Sequence, residues 1–297
     1  MGLLDGKVAI VTGGGHGVGR GEALLLAKEG AKVVVNDLGG SVGGEGADKR
    51  PAEQVAQVIK DNGGEAVANY DDVSDWSGAK NLIDQAVEAF GRLDILVNNA
   101  GILRDRMIFN MAEDEWDSVI KVHLKGHFSP TRHAAEYWRE KAKTSGGATY
   151  GRIINTSSEA FLMGSPGQPN YAAAKGGIVG FTMSVAQSMA KYGVTANAIC
   201  PRARTRMTED LFDMDPEIFA PENVAPLVAF LASPAAERIS GQVFIVYGGM
   251  VTVVAGPTVA EKFETEGRWT VDGLADALGP WYEKREPILD GFVMKFQ

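Results

Sequence analysis

Ser158, Tyr171 and Lys175, in SSEAFLMGSPGQPNYAAAK (157–175), are of types that can move a proton. On a helix, residues four apart share a face, so Tyr171 and Lys175 project together. A free phenol, with a pKa of about 10, is a poor proton carrier at neutral pH, but an ammonium a few ångströms away favours the phenolate. Tyr171 then serves as general base when an alcohol is oxidised, or as general acid when a ketone is reduced. Lys175 has a second use, holding a ribose. Taken alone, Y-x-x-x-K is a common polar face of a solvated helix. Ser158 changes its meaning, because it stands at the mouth of the run RIINTS (152–157), thirteen residues before the tyrosine. A hydroxyl there can hydrogen-bond the same substrate oxygen. Ser157 is the neighbouring candidate, read as a strand-end residue.

A second constellation lies near the start of the chain. The run KVAIV (7–11) leads into TGGGHGVGR (12–20) and then a helical segment. Glycines at such a junction let the backbone turn tightly and bring amide groups, with the helix dipole, against a pyrophosphate. The spacing is Gly13-x-x-x-Gly17-x-Gly19 rather than Gly-x-Gly-x-x-Gly, and Gly13, His16, Gly17, Val18 and Gly19 are the candidate cofactor contacts. The next strand ends in Asn36-Asp37, and Asp37 lies 18 residues beyond Gly19. A carboxylate there accepts hydrogen bonds from the adenosine ribose and repels a 2′-phosphate, which selects NAD over NADP. Arg20 lies close enough in sequence to complicate that field. Asp72 and Val73 follow the third strand, where they can meet the adenine. Asn98, Asn99, Ala100 and Gly101 close the fourth, either as cleft residues or as ordinary turn residues.

The elements that must position these groups follow from the alternation of apolar runs with helical segments. Strands are expected at 7–11, 32–36, 65–70, 93–98, 152–157, 194–199 and 242–247. Helical periods are expected at 18–30, 51–62, 75–90, 113–143, 170–191 and 221–232. Apolar, nearly unalternated strands between helices predict an α/β fold: a single doubly wound Rossmann domain over residues 1–250, with about seven parallel strands and helices on both faces. Ligands of such a sheet bind beyond the carboxyl ends of its strands, so all the candidate residues converge on one edge. Residues 38–50 hold five glycines and are expected to form a long loop. Residues 251–297 carry Trp269, Trp281 and Tyr282, and are expected to pack on the domain or on a partner subunit.

Composition narrows the function. A chain of 297 residues with 45% hydrophobic content has enough material for a sizeable core. The net charge of -9, without a Lys/Arg cluster, argues against nucleic acid as a partner. The single Cys200 excludes an intrachain disulfide. No apolar run is long enough to suggest a membrane span, and a cytoplasmic location is expected by default.

The pieces TGGGHGVG (12–19), Asp37, Asp72-Val73, NNAG (98–101), Ser158, YAAAK (171–175) and Pro201, in this order, resemble the short-chain dehydrogenase/reductases over about residues 5–250. The resemblance implies that Ser158 orients the substrate, Tyr171 is the acid/base, and Lys175 binds ribose and lowers the tyrosine pKa. It places Pro201 and Thr205 at the nicotinamide. Within that family, VVVNDLGG (33–40), NNAGILRDRM (98–107), VHLKGHF (122–128) and ARTRMTE (203–209) look like the dehydrogenase domain of the peroxisomal multifunctional enzyme type 2. They look closer still to its single-domain actinobacterial relatives, the 3-hydroxyacyl-CoA or 17β-hydroxysteroid dehydrogenases. That implies NAD-dependent oxidation of a secondary alcohol, often on a CoA thioester or a steroid, by a homodimer or homotetramer. The rival readings are an NADPH-dependent 3-oxoacyl reductase and a non-catalytic NAD-binding sensor or scaffold.

Two departures from the family pattern stand out. His123 occupies a position where most of the family has an asparagine that kinks a helix and joins Lys175 to a water relay. It is read either as part of that relay or as a residue that simply fills the kink. His123 and His127 lie four apart, but no third ligand adjoins them, and no metal site is expected. Arg202 follows Pro201 where the family has glycine. It can meet a phosphate or an acyl-CoA or point to solvent, and solvent is the favoured reading. The loop 202–220 has the position of a substrate lid, with Met207, Leu211, Phe212 and Met214 as its apolar cover.

Overall fold

The structure is a computed structural model and describes residues 2–208, 215–256 and 259–284. Leu211, Phe212 and Met214 of the expected lid lie outside the described residues. Strands β1 (Val8–Thr12), β2 (Lys32–Asn36), β3 (Ala66–Asn69), β4 (Ile95–Asn98), β5 (Gly151–Thr156), β6 (Val194–Pro201), β7 (Val243–Tyr247) and β8 (Met250–Val254) form one sheet. Their order is β3-β2-β1-β4-β5-β6-β7-β8. The first seven pair in parallel, as expected; β8 adds an antiparallel edge. The chain reverses between β7 and β8 through Gly248, whose φ of 50° is in the left-handed region that glycine adopts without strain. Tyr247 then faces Met250 directly.

The α-helices of the described residues are α1 (Gly17–Lys28), α2 (Arg50–Asp61), α3 (Trp76–Phe90), α4 (Glu113–Val119), α5 (Gly126–Ser145), α6 (Ala160–Met163), α7 (Pro169–Met189), α8 (Ala225–Ala232) and α9 (Val271–Tyr282). Successive side chains of a strand point to opposite faces, and the buried sheet sorts accordingly. Ala9, Val11, Val33 and Val35 pack with Leu26 of α1, Val55 of α2 and Leu231 of α8. Val8, Ile10 and Val34 pack with Leu82 of α3, Trp138 of α5 and Met189 of α7. Both faces of the central strands are therefore covered, which is why those strands read as unbroken apolar runs. The strand order turns back between β1 and β4, and that reversal opens the crevice in which the candidate residues meet.

The helix expected over 113–143 is not continuous. A π-helical stretch, Ile120–Lys125, separates α4 from α5 and carries His123. Such widened turns are uncommon and concentrate at functional sites.

One buried group in α1 conflicts with its surroundings. Glu22 is fully buried, neither carboxylate oxygen has a hydrogen-bond partner among the described residues, and burial pushes its pKa up to about 8. An unfolded Glu22 would lose its proton near its ordinary value, while the folded one keeps it. Between those two values the unfolded chain therefore binds fewer protons, so stability falls as pH rises from about 5 to 8 and levels off above. Glu22→Gln is expected to flatten this dependence, melting close to wild type at pH 5 and several degrees higher at pH 8. Thermal melts at the two pH values check it, and parallel curves for the two proteins would show that Glu22 does not titrate in that window.

Candidate active site

The strand ends enclose a cavity of about 720 Å³. Gly13, His16, Gly17, Val18, Asp37, Asp72, Val73, Asn99, Ala100, Gly101, His123, Ser158, Tyr171, Lys175, Pro201 and Thr205 all line it. Residues from β1 through β6 are thus brought to one place, as the parallel topology requires.

The glycine loop is shaped by need at three positions. Gly13 and Gly17 have φ of 64° and 48°, which a side chain would strain. Gly19 is not on the cavity wall but behind the loop: a Cβ there would stand 2.3 Å from the Gly13 carbonyl oxygen and 2.4 Å from Asn99 Nδ2. Asn99 holds the loop from the other side, its Nδ2 donating to the carbonyls of Thr12 at 3.1 Å and Gly13 at 3.2 Å. The Thr12 hydroxyl accepts from the amides of Asn99 and Ala100. Asn98 looks into the protein instead, donating to Thr131 Oγ1 and Asn155 Oδ1, each at 2.9 Å. Of the two asparagines, one braces the loop and the other ties β4 to β5.

Asp37 is buried at the end of β2. Its Oδ2 accepts from the Gly15 amide at 2.8 Å and its Oδ1 from the Gly39 amide at 2.7 Å. The carboxylate is therefore fixed in direction, with lone pairs to spare for a ligand hydroxyl. His16 Nδ1 stands 3.9 Å from it. Burial and the neighbouring charge of Arg206 lower the His16 pKa, so the ring is largely neutral and leaves the Asp37 charge in place. Arg20 lies 3.9 Å from Glu222 and does not pair with Asp37. Asp72 is turned to its own loop, accepting from the Ser74 amide and hydroxyl.

The loop expected over 38–50 contributes to the same cavity. It lies against the segment after β4: the Leu103 amide donates to Val42 at 3.0 Å and Arg104 Nε to Gly43 at 2.8 Å. Leu38, Ser41, Ile102 and Arg104 thereby become lining residues that were not expected from the sequence. The glycine spacing announced a loop, but its landing place 60 residues on has no local signal.

Tyr171 and Lys175 project from one face of α7, toward the end of β5. Lys175 Nζ donates to the Thr156 carbonyl at 2.6 Å and sits 5.3 Å from the centre of the Tyr171 ring. Burial pushes the Tyr171 phenol up to about 12, against the opposing pull of the Ser158 hydroxyl. Burial also lowers Lys175 to about 7. Burial is thus the largest influence on the phenol and is opposite in sign to the lowering that the resemblance implies for Lys175. Ser157 Oγ donates to the Lys175 carbonyl at 2.9 Å, the structural part assigned to it.

His123 is buried in the π-helical turn and meets the Tyr171 ring edge-on, centroids 5.2 Å apart. Its Nε2 lies 2.8 Å from the Ile102 carbonyl oxygen and 3.1 Å from the Ile102 amide, so either tautomer finds a partner there. Burial, with the Lys175 charge adding to it, holds its pKa well below the usual range. A neutral ring wedged between Ile102 and Tyr171 fits the kink-filling reading. Gly101 makes room for it, since a Cβ there would lie 2.4 Å from His123 Cε1. His127, also buried, is lowered to about 3 by the same burial. Among the described residues no group of three or more His, Cys, Asp or Glu side chains could hold a metal ion.

Arg202 corrects the solvent reading. Its guanidinium makes a two-pronged pair with Glu159, Nε to Oε2 at 2.6 Å and Nη2 to Oε1 at 2.7 Å. Thr205 closes on the glycine loop, its Cγ2 3.2 Å from where a Gly17 Cβ would be. No described helix is long and apolar enough to cross a membrane.

Comparison with known proteins agrees with this geometry. A family profile described as short chain dehydrogenase matches residues 7–216. The chain is 50% identical over 293 residues to the Hydroxyacyl-CoA dehydrogenase ChsB1 of Mycobacterium tuberculosis, covering 96% of this chain and 91% of that one. It is 48% identical over 237 residues to the Peroxisomal multifunctional enzyme type 2 of Drosophila melanogaster, of whose length it spans 38%. A crystal structure of a short chain dehydrogenase from Mycobacterium avium superposes with a TM-score of 0.86 at 48% identity, covering 96% of this chain and 98% of that one. The chain belongs to the short chain dehydrogenase family, and its cavity is that of an oxidoreductase working with a nicotinamide dinucleotide.

Proposed function

We propose that the protein is an NAD-dependent dehydrogenase of secondary alcohols, with 3-hydroxyacyl-CoA thioesters, including those with steroid-sized acyl groups, as its substrate class. The observation that carries this reading is that Ser158, Tyr171 and Lys175 line one cavity together with the glycine loop and Asp37. The 50% identity to a hydroxyacyl-CoA dehydrogenase supports the substrate class. A dinucleotide fits the residues present: two left-handed glycines leave the loop without side chains at its turns, and Asp37 is aimed by two amides. When bound, it supplies the acceptor for the hydride of the carbinol carbon. Ser158 holds the substrate oxygen, Tyr171 takes the carbinol proton as it gives up its own, and Lys175, titrating near 7, is suited to accept the proton released. The same reading takes residues 1–250 as the catalytic domain in a cytoplasmic homodimer or homotetramer, whose assembly sedimentation would read.

The test is kcat/KM for a panel of 3-hydroxyacyl-CoA thioesters and steroid alcohols with each cofactor. NAD is expected to exceed NADP by roughly 100-fold, since a buried carboxylate both loses its ribose hydrogen bonds and faces a second anion when the 2′-phosphate is present. Asp37→Ser is expected to narrow that ratio by about tenfold or more. A wild-type preference for NADP would favour the 3-oxoacyl reductase reading, and no turnover of any alcohol would favour the non-catalytic one.

A further inference from the structure

The catalytic serine and the strand-end proline are each followed by a charged residue, and the two charges meet. Glu159 comes directly after Ser158, and Arg202 directly after Pro201. Their side chains are 6% and 15% exposed, and both line the same cavity as Ser158 and Tyr171. The guanidinium spends its Nε and Nη2 on the two Glu159 oxygens and lies 4.8 Å over the Tyr247 ring. Tyr247 in turn stacks on Phe219, with centroids 5.2 Å and planes 7° apart. Nothing in the proton transfer uses this pair.

A buried guanidinium beside a reactive carbinol is the natural docking point for a carboxylate, because its fork matches two carboxylate oxygens. Here the Nε and Nη2 side of the fork is already taken by Glu159, whose carboxylate also balances the guanidinium charge. A free carboxylate entering this end of the cavity would leave its hydration behind, find the Nε and Nη2 donors of Arg202 taken and its charge balanced, and stand next to the Glu159 charge. An uncharged carbonyl has much less hydration to lose and meets no opposing charge.

We propose that Glu159 is a specificity-determining residue: by occupying Arg202 it closes the carbinol end of the cavity to free hydroxy or oxo acids and leaves it open to their uncharged thioesters and esters. This rests on the reading of the site as acting on 3-hydroxyacyl thioesters and says why the thioester form is the one accepted. Without Glu159, the same cavity would carry an unmasked cation and would accept the acid.

Acetoacetate and its methyl ester form a matched pair of probes, differing at that end only in the carboxylate charge and the methyl that replaces it. With reduced cofactor, the wild-type protein is expected to prefer the ester in kcat/KM by roughly 100-fold. Glu159→Gln, which keeps the shape and removes the charge, is expected to shrink that preference by about tenfold or more through a gain on acetoacetate. The double variant Glu159→Gln with Arg202→Met, which leaves no unpaired buried charge, is expected to return to the wild-type preference. An acid handled by the wild-type protein within tenfold of the ester would overturn the proposal without any variant. So would a preference unchanged within twofold in Glu159→Gln, or the same gain in the double variant. Calorimetric binding of the two probes to the protein loaded with reduced cofactor reads the same ratio without turnover. Absent turnover with a shifted binding ratio would count against the dehydrogenase reading and support the role of Glu159; turnover with an unshifted ratio would do the reverse.

Discussion

Replacing Tyr171 by phenylalanine is expected to lower kcat by roughly 1000-fold while cofactor affinity stays within about twofold, the range that positioned acid/base groups supply. The change removes one hydroxyl and little else. The ring keeps its edge-on contact with His123, and Lys175 keeps its bond to the Thr156 carbonyl, because neither depends on the phenol. What is lost is the group that exchanges the proton with the substrate oxygen. With the phenol near 12 and the lysine near 7, Tyr171 holds its proton at neutral pH and is ready to donate it to a ketone. Oxidation needs the proton to leave, so its rate should climb as pH rises through the Lys175 value, whereas reduction should not. Steady-state turnover together with a cofactor titration separates the effects. A Tyr171→Phe protein that keeps more than a tenth of the wild-type rate would remove Tyr171 from the proton transfer.

Much of this site is written locally in the chain. The glycine loop sits between its strand and its helix, Asp37 ends the next strand, and Tyr171 and Lys175 are one helical turn apart, so their convergence follows once the sheet is known to be parallel. The sheet itself was legible because strands covered on both faces read as unbroken apolar runs. What escaped depends on residues far apart in sequence. Glu159 and Arg202 meet only because β5 and β6 pair with Thr156 opposite Ile199, which sets the two strand ends side by side. The contact of Gly43 with Arg104 needs the loop after β2 to reach the segment after β4. Tyr171 and Lys175 are adjacent in sequence terms, yet their titration is set by burial, a property of the whole packing. The break at Ile120–Lys125 escaped for another reason: α4 and α5 keep helical period on either side of it, and one widened turn leaves no mark in the residue pattern. The strand β8 did leave a mark, a Gly-Gly pair between two apolar runs, the usual sign of a two-residue hairpin.

Gly19→Ala is the complementary experiment, because it should damage cofactor binding and spare the chemistry. On propensity alone alanine is the better helix residue by about 1 kcal/mol, and Gly19 does not have a left-handed φ, so the backbone raises no objection. Sterics decide otherwise. A Cβ 2.3 Å from the Gly13 oxygen and 2.4 Å from Asn99 Nδ2 is far inside contact distance, and both obstacles belong to the loop that must meet the phosphates. Relief requires the Gly13 carbonyl to move, which breaks one of the two Asn99 bonds that hold the loop against β4. Forcing such a contact costs about 1–3 kcal/mol, so the dissociation constant of the cofactor is expected to rise roughly 5- to 150-fold. Ser158 and Tyr171 lie on other elements, so kcat at saturating cofactor should fall far less. Gly180 on α7 is the control, with nothing within 4 Å of a Cβ; there alanine should leave cofactor affinity unchanged and raise stability slightly. Cofactor titrations of the two variants decide the matter. If Gly19→Ala binds the dinucleotide within threefold of wild type, the loop yields without cost and its close packing is not what shapes the phosphate site. If it loses affinity while Tyr171→Phe loses only turnover, binding and proton transfer are carried by separate ends of one cavity.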